Sequence, residues 1–314
     1  MILSKYIINY WHRFFENSSY TVMASLFLFG QIPVFSPKSH SNFSNWCLNY
    51  SQLSPETKNT VKALVDEALI GNDSDKTWQQ VVNTDECVEV EKVLTEQESI
   101  SFKPDDSISD LSPLATLKSL KELNLQGQLI EDLSPLSALG QLEKLNLSRN
   151  LIRDTTPLSS LKQLRKLDLS YNLIYYIDPL SSLTKLENLN IARASVSDVE
   201  ALNPLINLKK LNLASNRINN VEPLSSLYNL NKLDLSFNVI KDISSLASLD
   251  NIIELKVENN FIPPEAQICP VDELIACSDL YAQRIADYSV EEIDIFQRQR
   301  QILERNRRIL RRLR

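Results

Sequence analysis

Two histidines, four cysteines and four glycines bound the chemistry open to this 314-residue chain. His12 and His40 both lie near its start, and the long repetitive centre has no histidine, so the commonest general base is missing there. Gly30, Gly71, Gly127 and Gly140 are too scattered to build a loop that cradles a phosphate. No nucleophile motif occurs, and the central acids, Asp168 and Asp234 among them, recur in register instead of converging on a pocket. These features argue against an enzyme, and they imply no cofactor.

The cysteines flank the repetitive region in pairs, Cys47 with Cys87 before it and Cys269 with Cys277 after it. Disulfides that staple each end, Cys47–Cys87 and Cys269–Cys277, are the favoured of three connectivities, and free thiols in a cytosolic protein are the alternative. A four-thiolate zinc site is disfavoured, because no Cys-x-x-Cys occurs and roughly 35 Å of stacked strands should separate the pairs. No metal site is expected.

What remains is binding chemistry, carried by side chains that recur every 22 residues. One column reads Glu122, Lys144, Lys166, Asn188, Lys210, Lys232 and Glu254; the next reads Asn124, Asn146, Asp168, Asn190, Asn212, Asp234 and Lys256. A third, more variable column holds Gly127, Arg149, Tyr171, Arg193, Ser215, Phe237 and Asn259. The lysines with interleaved Asp and Asn would make a mildly basic, hydrogen-bonding floor, and Tyr171 and Phe237 could anchor a partner. The candidate partner-binding residues are therefore Lys144, Arg149, Lys166, Asp168, Tyr171, Arg193, Lys210, Lys232, Asp234 and Phe237. Much of the first two columns also fits a plain solubility role, since an exposed sheet needs polar residues at these positions; Tyr171, Arg193 and Phe237 are less easily explained that way.

The elements that must position these columns follow from the same period. The pattern Leu-x-x-Leu-x-Leu-x-x-Asn-x-Ile-x-Asp-x-x-Pro-Leu-x-x-Leu is clearest at Leu142, Leu145, Leu147, Asn150, Ile152, Asp154, Pro157, Leu158 and Leu161. A fixed period of this length means a solenoid. In Leu145-Asn146-Leu147 the alternation is that of a strand with leucines in and asparagine out. Asn150, Asn172, Asn216, Asn238 and Asn260 should sit at a bend and satisfy backbone groups there; Gln128 and Ala194 depart from the column. The loss at Ala194 predicts a weak point or a place reshaped for a partner. Pro-Leu-Ser-Ser-Leu segments favour a tight turn or a short 3₁₀ segment that returns the chain. One repeat buries too little to stand alone, so stability belongs to the array and its ends need covers.

Five regions follow. Residues 1–36 hold the apolar run Val22 to Phe35 behind Lys5 and Arg13, which suggests a secretory signal, an uncleaved anchor being an alternative. Residues 37–97 should form a helical N-terminal cap: Ser54-Pro55-Glu56 is a helix start, Gly71 an end, and a second helix is expected from Asp85 to about Thr95 with Thr84 as its cap. The repeats, about eight with a degenerate first, occupy 98–262; a C-terminal cap follows over 263–280. In the tail, 281–314, eight arginines between Arg298 and Arg314 face one acid, Glu304, along an apolar stripe. That basic amphipathic helix could meet a membrane surface or self-associate over 291–314, or remain a solvated tail. The net charge of −7 argues against general nucleic-acid affinity.

The repeat pattern resembles the 22-residue leucine-rich repeats of bacterial internalins and of protein-phosphatase regulatory subunits. With Asn45-Trp46-Cys47, Leu53-Ser54-Pro55-Glu56-Thr57, Cys87 and Ile268-Cys269-Pro270-Val271 added, the chain looks like the exported bacterial internalin-like proteins. The likeness implies an α/β leucine-rich repeat solenoid with a concave parallel sheet and a helical N-terminal cap, while the helical C-terminal tail and the long segment before the apolar core depart from that group. It also implies a binding module of the cell envelope or secreted space whose ligand is a protein or an envelope component, with no specific nucleic acid. A cytosolic adaptor resembling the phosphatase-binding subunits is the alternative.

Overall fold

Alternation within Leu-x-Leu triplets makes a strand only where neighbours accept its hydrogen bonds, and the 22-residue period supplies those neighbours. The computed structural model describes residues 41–71 and 76–262. The expected signal or anchor over 1–36, the pair Cys269 and Cys277 in the C-terminal cap, and the basic tail over 281–314 lie outside the described residues.

Eight three-residue strands stand in sequence order in one parallel sheet: β1 (Ser99–Ser101), β2 (Glu122–Asn124), β3 (Lys144–Asn146), β4 (Lys166–Asp168), β5 (Asn188–Asn190), β6 (Lys210–Asn212), β7 (Lys232–Asp234) and β8 (Glu254–Lys256). From β2 onward the same repeat positions pair and leucine always faces leucine at the centre, as in Lys144↔Lys166, Leu145↔Leu167 and Asn146↔Asp168. The central residue of every strand is buried, while its neighbours face outward. The chain returns along the opposite side through 3₁₀ segments such as Thr156–Ser160. Asp154 starts that segment by accepting the Thr156 N–H at 2.8 Å, and the Ser160 hydroxyl ties it to the preceding repeat through the Ser137 carbonyl at 3.3 Å.

The buried asparagines join repeat to repeat. Asn172 accepts the Ile152 N–H at 3.1 Å, and its amide donates to the carbonyls of Leu147 at 2.9 Å, Leu169 at 3.0 Å and Ser170 at 3.3 Å. Gln128 keeps the function with a longer arm, accepting the Ile108 N–H at 2.8 Å. Ala194 cannot. Its methyl leaves the Ile174 N–H, in a fully buried residue, with no acceptor among the described residues. The Leu169 carbonyl there keeps only Asn172, whereas Leu147 receives both Asn150 and Asn172.

Among the described residues four helices precede the first strand, α1 (Phe43–Leu48), α2 (Pro55–Gly71), α3 (Trp78–Val81) and α4 (Cys87–Glu96), and α1 and α2 pack against the 3₁₀ segments of the first repeat. Ser54 caps α2 by accepting the Thr57 N–H at 3.2 Å. The second long helix begins two residues later than the sequence suggests; the Thr84 hydroxyl donates to the Val81 carbonyl at 2.5 Å and accepts the Glu86 N–H at 3.3 Å. Cys87, Val90 and Leu94 face inward as expected. Cys47 and Cys87 form a disulfide with Cα atoms 5.6 Å apart, joining α1 to α4. From α2, Thr60 donates to the Asp110 carbonyl at 2.6 Å, which fastens the lid to the first repeat. No helix among the described residues is long and apolar enough to cross a membrane.

Candidate partner-binding surface

Because every strand turns its first and third residues outward, the first two columns line a groove of about 740 Å³ that runs from β1 to β8. Charge along its floor is uneven. Lys144 pairs with Glu122 of the preceding strand. Lys232 reaches Glu254 at 2.5 Å, and Lys256 reaches the same carboxylate at 3.4 Å. Glu254 is accordingly held below the ordinary carboxylate range, chiefly by the Lys232 hydrogen bond. Lys256 is raised, first by the charge of Asp234 and then by Glu254. One residue before the strands, Glu187 binds Lys209 at 2.6 Å and Arg165 at 2.9 Å, and these two cations lower its pKa in that order.

From β2 to β7 the third residue of each strand is tied to the backbone two residues on. Asp168 Oδ1 accepts the Ser170 N–H at 2.9 Å and the Ser170 hydroxyl at 2.6 Å, and its Oδ2 accepts Asn190 Nδ2 at 3.0 Å. Asp234 makes the same turn with Ser236. These aspartates hold the strand end in an Asx-type turn. By contrast, Lys166 and Lys210 form no ion pair among the described residues, and Asn188 between them makes no side-chain hydrogen bond.

The variable column forms the rim beside this floor, and its backbone is unusual. Arg149, Tyr171, Arg193, Ser215, Phe237 and Asn259 all have φ between +54° and +59°, with Gly127 at +72°. The turn demands it: in this conformation each N–H donates to the next repeat, as Tyr171 does to the Ala192 carbonyl at 2.9 Å. Side chains other than Gly, Asn and Asp enter the left-handed region at a cost of about 1–2 kcal/mol. Here Arg, Tyr, Arg and Phe occupy it. The Tyr171 ring lies between two guanidiniums, with Arg149 at 4.5 Å and Arg193 at 5.2 Å from its centroid, and neither arginine has a carboxylate partner among the described residues. Phe237 stands two repeats further on and is 55% exposed.

The floor thus brings Lys166 and Lys210 together as unpaired cations and leaves Lys144, Lys232, Asp168 and Asp234 engaged with their own neighbours. Arg149, Tyr171 and Arg193 form one cluster, from which Phe237 is separated by Ser215. Sequence reasoning missed the exposed Leu129, Leu151 and Leu173, one position beyond the buried Asn column. The signal was present: leucine fills the x of Asn-x-Ile or Gln-x-Ile in three consecutive repeats.

The family described as Leucine Rich repeats (2 copies) matches residues 162–204 and 206–251. No curated protein matches the chain. Among solved structures, an internalin (inlF) from Listeria monocytogenes is 28% identical with a TM-score of 0.59, covering 71% of this chain and 61% of its own. An internalin C2 from the same organism is 25% identical with a TM-score of 0.59, over 72% of this chain and 94% of its own. A leucine-rich repeat protein of Leptospira interrogans, 21% identical with a TM-score of 0.53 over 59% of this chain and 51% of its own, shares the fold. The chain thus spans 61% of the length of the first of these internalins. Period, sheet order and these likenesses converge on one architecture: the chain is a leucine-rich repeat solenoid, similar in fold to the Listeria internalins.

Proposed function

We propose that this chain is a non-enzymatic protein-binding module that engages its partner through the groove and the rim beside it. The observation that carries the reading is the choice of residues on the rim. A left-handed backbone position favours glycine or asparagine, yet exposed Arg149, Tyr171, Arg193 and Phe237 stand there. A stability cost kept at four repeats, on side chains that bury nothing of the core, fits selection for contact with another molecule. The Cys47–Cys87 disulfide favours an oxidising compartment. An exported protein of the cell envelope or secreted space is therefore preferred to a cytosolic adaptor.

The test is affinity capture by the full chain, with captured proteins identified by mass spectrometry. Lys166→Glu, Lys210→Glu and Tyr171→Ala combined should weaken capture of a specific partner by roughly tenfold or more without moving the unfolding midpoint. Pro179→Ala and Ser182→Ala, on the opposite side of the repeats, should leave capture intact. If the Pro179 and Ser182 variants were the damaging ones, the assignment of the binding face would be wrong.

A further inference from the structure

The distribution of unpaired charge names the chemistry of the partner. We propose that the middle of the groove takes an acidic segment of polypeptide, lying across the strands in polyproline II form, with carboxylates three residues apart. The inference rests on the protein-binding reading and specifies its partner.

At the ends of the groove the cations are neutralised from within, Lys144 by Glu122 and Lys232 by Glu254. In the middle they are not. Lys166 on β4 and Lys210 on β6 flank Asn188 on β5 in strict register. Two strand spacings separate their Cα atoms by roughly 10 Å, close to one turn of polyproline II, in which three residues at about 3.1 Å each return the side chain to the same face. Carboxylates at that spacing would meet both ammonium groups at once. Between them Asn188 presents one carbonyl and one NH₂ that bond nothing else in the described residues. A side-chain amide offers a donor and an acceptor side by side, which matches a peptide group and suits a bare run of phosphates poorly. On the rim, Arg149 and Arg193 add two more cations without carboxylate partners, held over the Tyr171 ring. Of the acids on the floor, Asp168 has both oxygens committed to Ser170 and Asn190, and Asp234 accepts from Ser236 beside the charge of Lys256. This local positive excess sits on a chain whose net charge is −7. Long-range repulsion therefore works against an extended polyanion such as nucleic acid, while the patch attracts a short acidic segment.

Fluorescence anisotropy on the full chain provides the test, using a labelled synthetic peptide with two Glu residues three apart in a Gly/Ser/Thr background and the same peptide with Gln for Glu. The acidic peptide is expected to bind, weakening as salt rises, and its Gln counterpart to bind at least several-fold less well. Lys166→Gln with Lys210→Gln should lower affinity roughly tenfold, and Asn188→Ala should lower it further. Lys144→Gln with Lys232→Gln, which removes cations already paired, should change it little. Equal binding of the two peptides, or equal loss from the paired and unpaired lysine variants, overturns the inference; so does tighter binding of heparin or single-stranded DNA than of the acidic peptide. Should the acidic peptide fail while Tyr171→Ala still abolishes capture of a specific protein, the acidic-partner inference falls and the protein-binding reading stands.

Discussion

Replacing Ala194 by Asn should mend the one gap in the buried amide ladder. Wherever the ladder is intact its geometry barely varies: Asn216 accepts the Val196 N–H at 3.1 Å and donates to Ile191 at 2.9 Å, and Asn238 does the same with Ile218 and Leu213 at 3.0 Å. Strand register is unbroken through the gap, so the new side chain meets the same surroundings. It would accept from the Ile174 N–H and donate to the Leu169 and Ile191 carbonyls. Relieving a buried, unpaired N–H is worth about 1–3 kcal/mol, and a further net hydrogen bond about 1 kcal/mol. Ordering the Asn side chain returns about 1 kcal/mol. The expected gain is about 1–3 kcal/mol. Urea unfolding should show a higher midpoint at unchanged slope, and hydrogen exchange at the Ile174 amide should slow until it resembles Ile152 and Ile218. Ala194→Leu, similar in size but without polar atoms, should give no such gain. If Ile174 is already as protected as Ile152 in the native chain and Ala194→Asn moves neither observable, the gap is not the defect described above.

Other perturbations probe the remaining elements. Phe237→Asn places a residue that tolerates the left-handed region where the neighbouring repeat has Asn259; stability should rise by about 0.5–1 kcal/mol in chemical denaturation, while partner capture falls. Reducing the Cys47–Cys87 disulfide, which spans 40 residues, should destabilise the cap by about 2–4 kcal/mol, seen as earlier proteolysis of residues 41–97 than of the repeats. Acid should loosen the array. Glu187 and Glu254 are lowered by their lysine and arginine partners, and Asp154 and Asp242 by hydrogen bonds from Thr156 and Ser244. A depressed folded-state pKa means stability that is complete above the ordinary carboxylate range and lost as pH falls through the lowered values. Thermal midpoints should therefore decline below that range, and Glu187→Gln should make the decline shallower.

The solenoid was legible because a period of 22 and the Leu-x-Leu alternation report directly on strand position and burial. The Asn column was legible for the same reason, since an amide recurring at one register among leucines needs buried backbone partners. The rim's backbone was not: a left-handed position shows itself in sequence through glycine, and only Gly127 offers that sign, the bulkier Arg149, Tyr171 and Phe237 concealing it. The division of lysines into paired and unpaired depends on the residue 22 positions away, as with Lys144 and Glu122, and reading each column alone hides it. Asp168 and Asp234 looked like free acids on a floor, but the Ser two positions on was the sign of a local turn. Helices α1 and α3, of 6 and 4 residues, are too short for periodicity to reveal.

Across every joint from β2 to β8 the same repeat positions face each other, with leucine against leucine at the buried centre, so any two junctions in that stretch are interchangeable in backbone and core. A recombination that deletes or duplicates one whole unit would rejoin matched edges and leave the hydrophobic interior continuous, while shifting which outward side chains become neighbours. Excising the unit that contributes β5 would set Lys166 against Lys210 and discard Asn188. Gene-level gain and loss of units is thus a route by which such a scaffold can change what it recognises without having to learn to fold again.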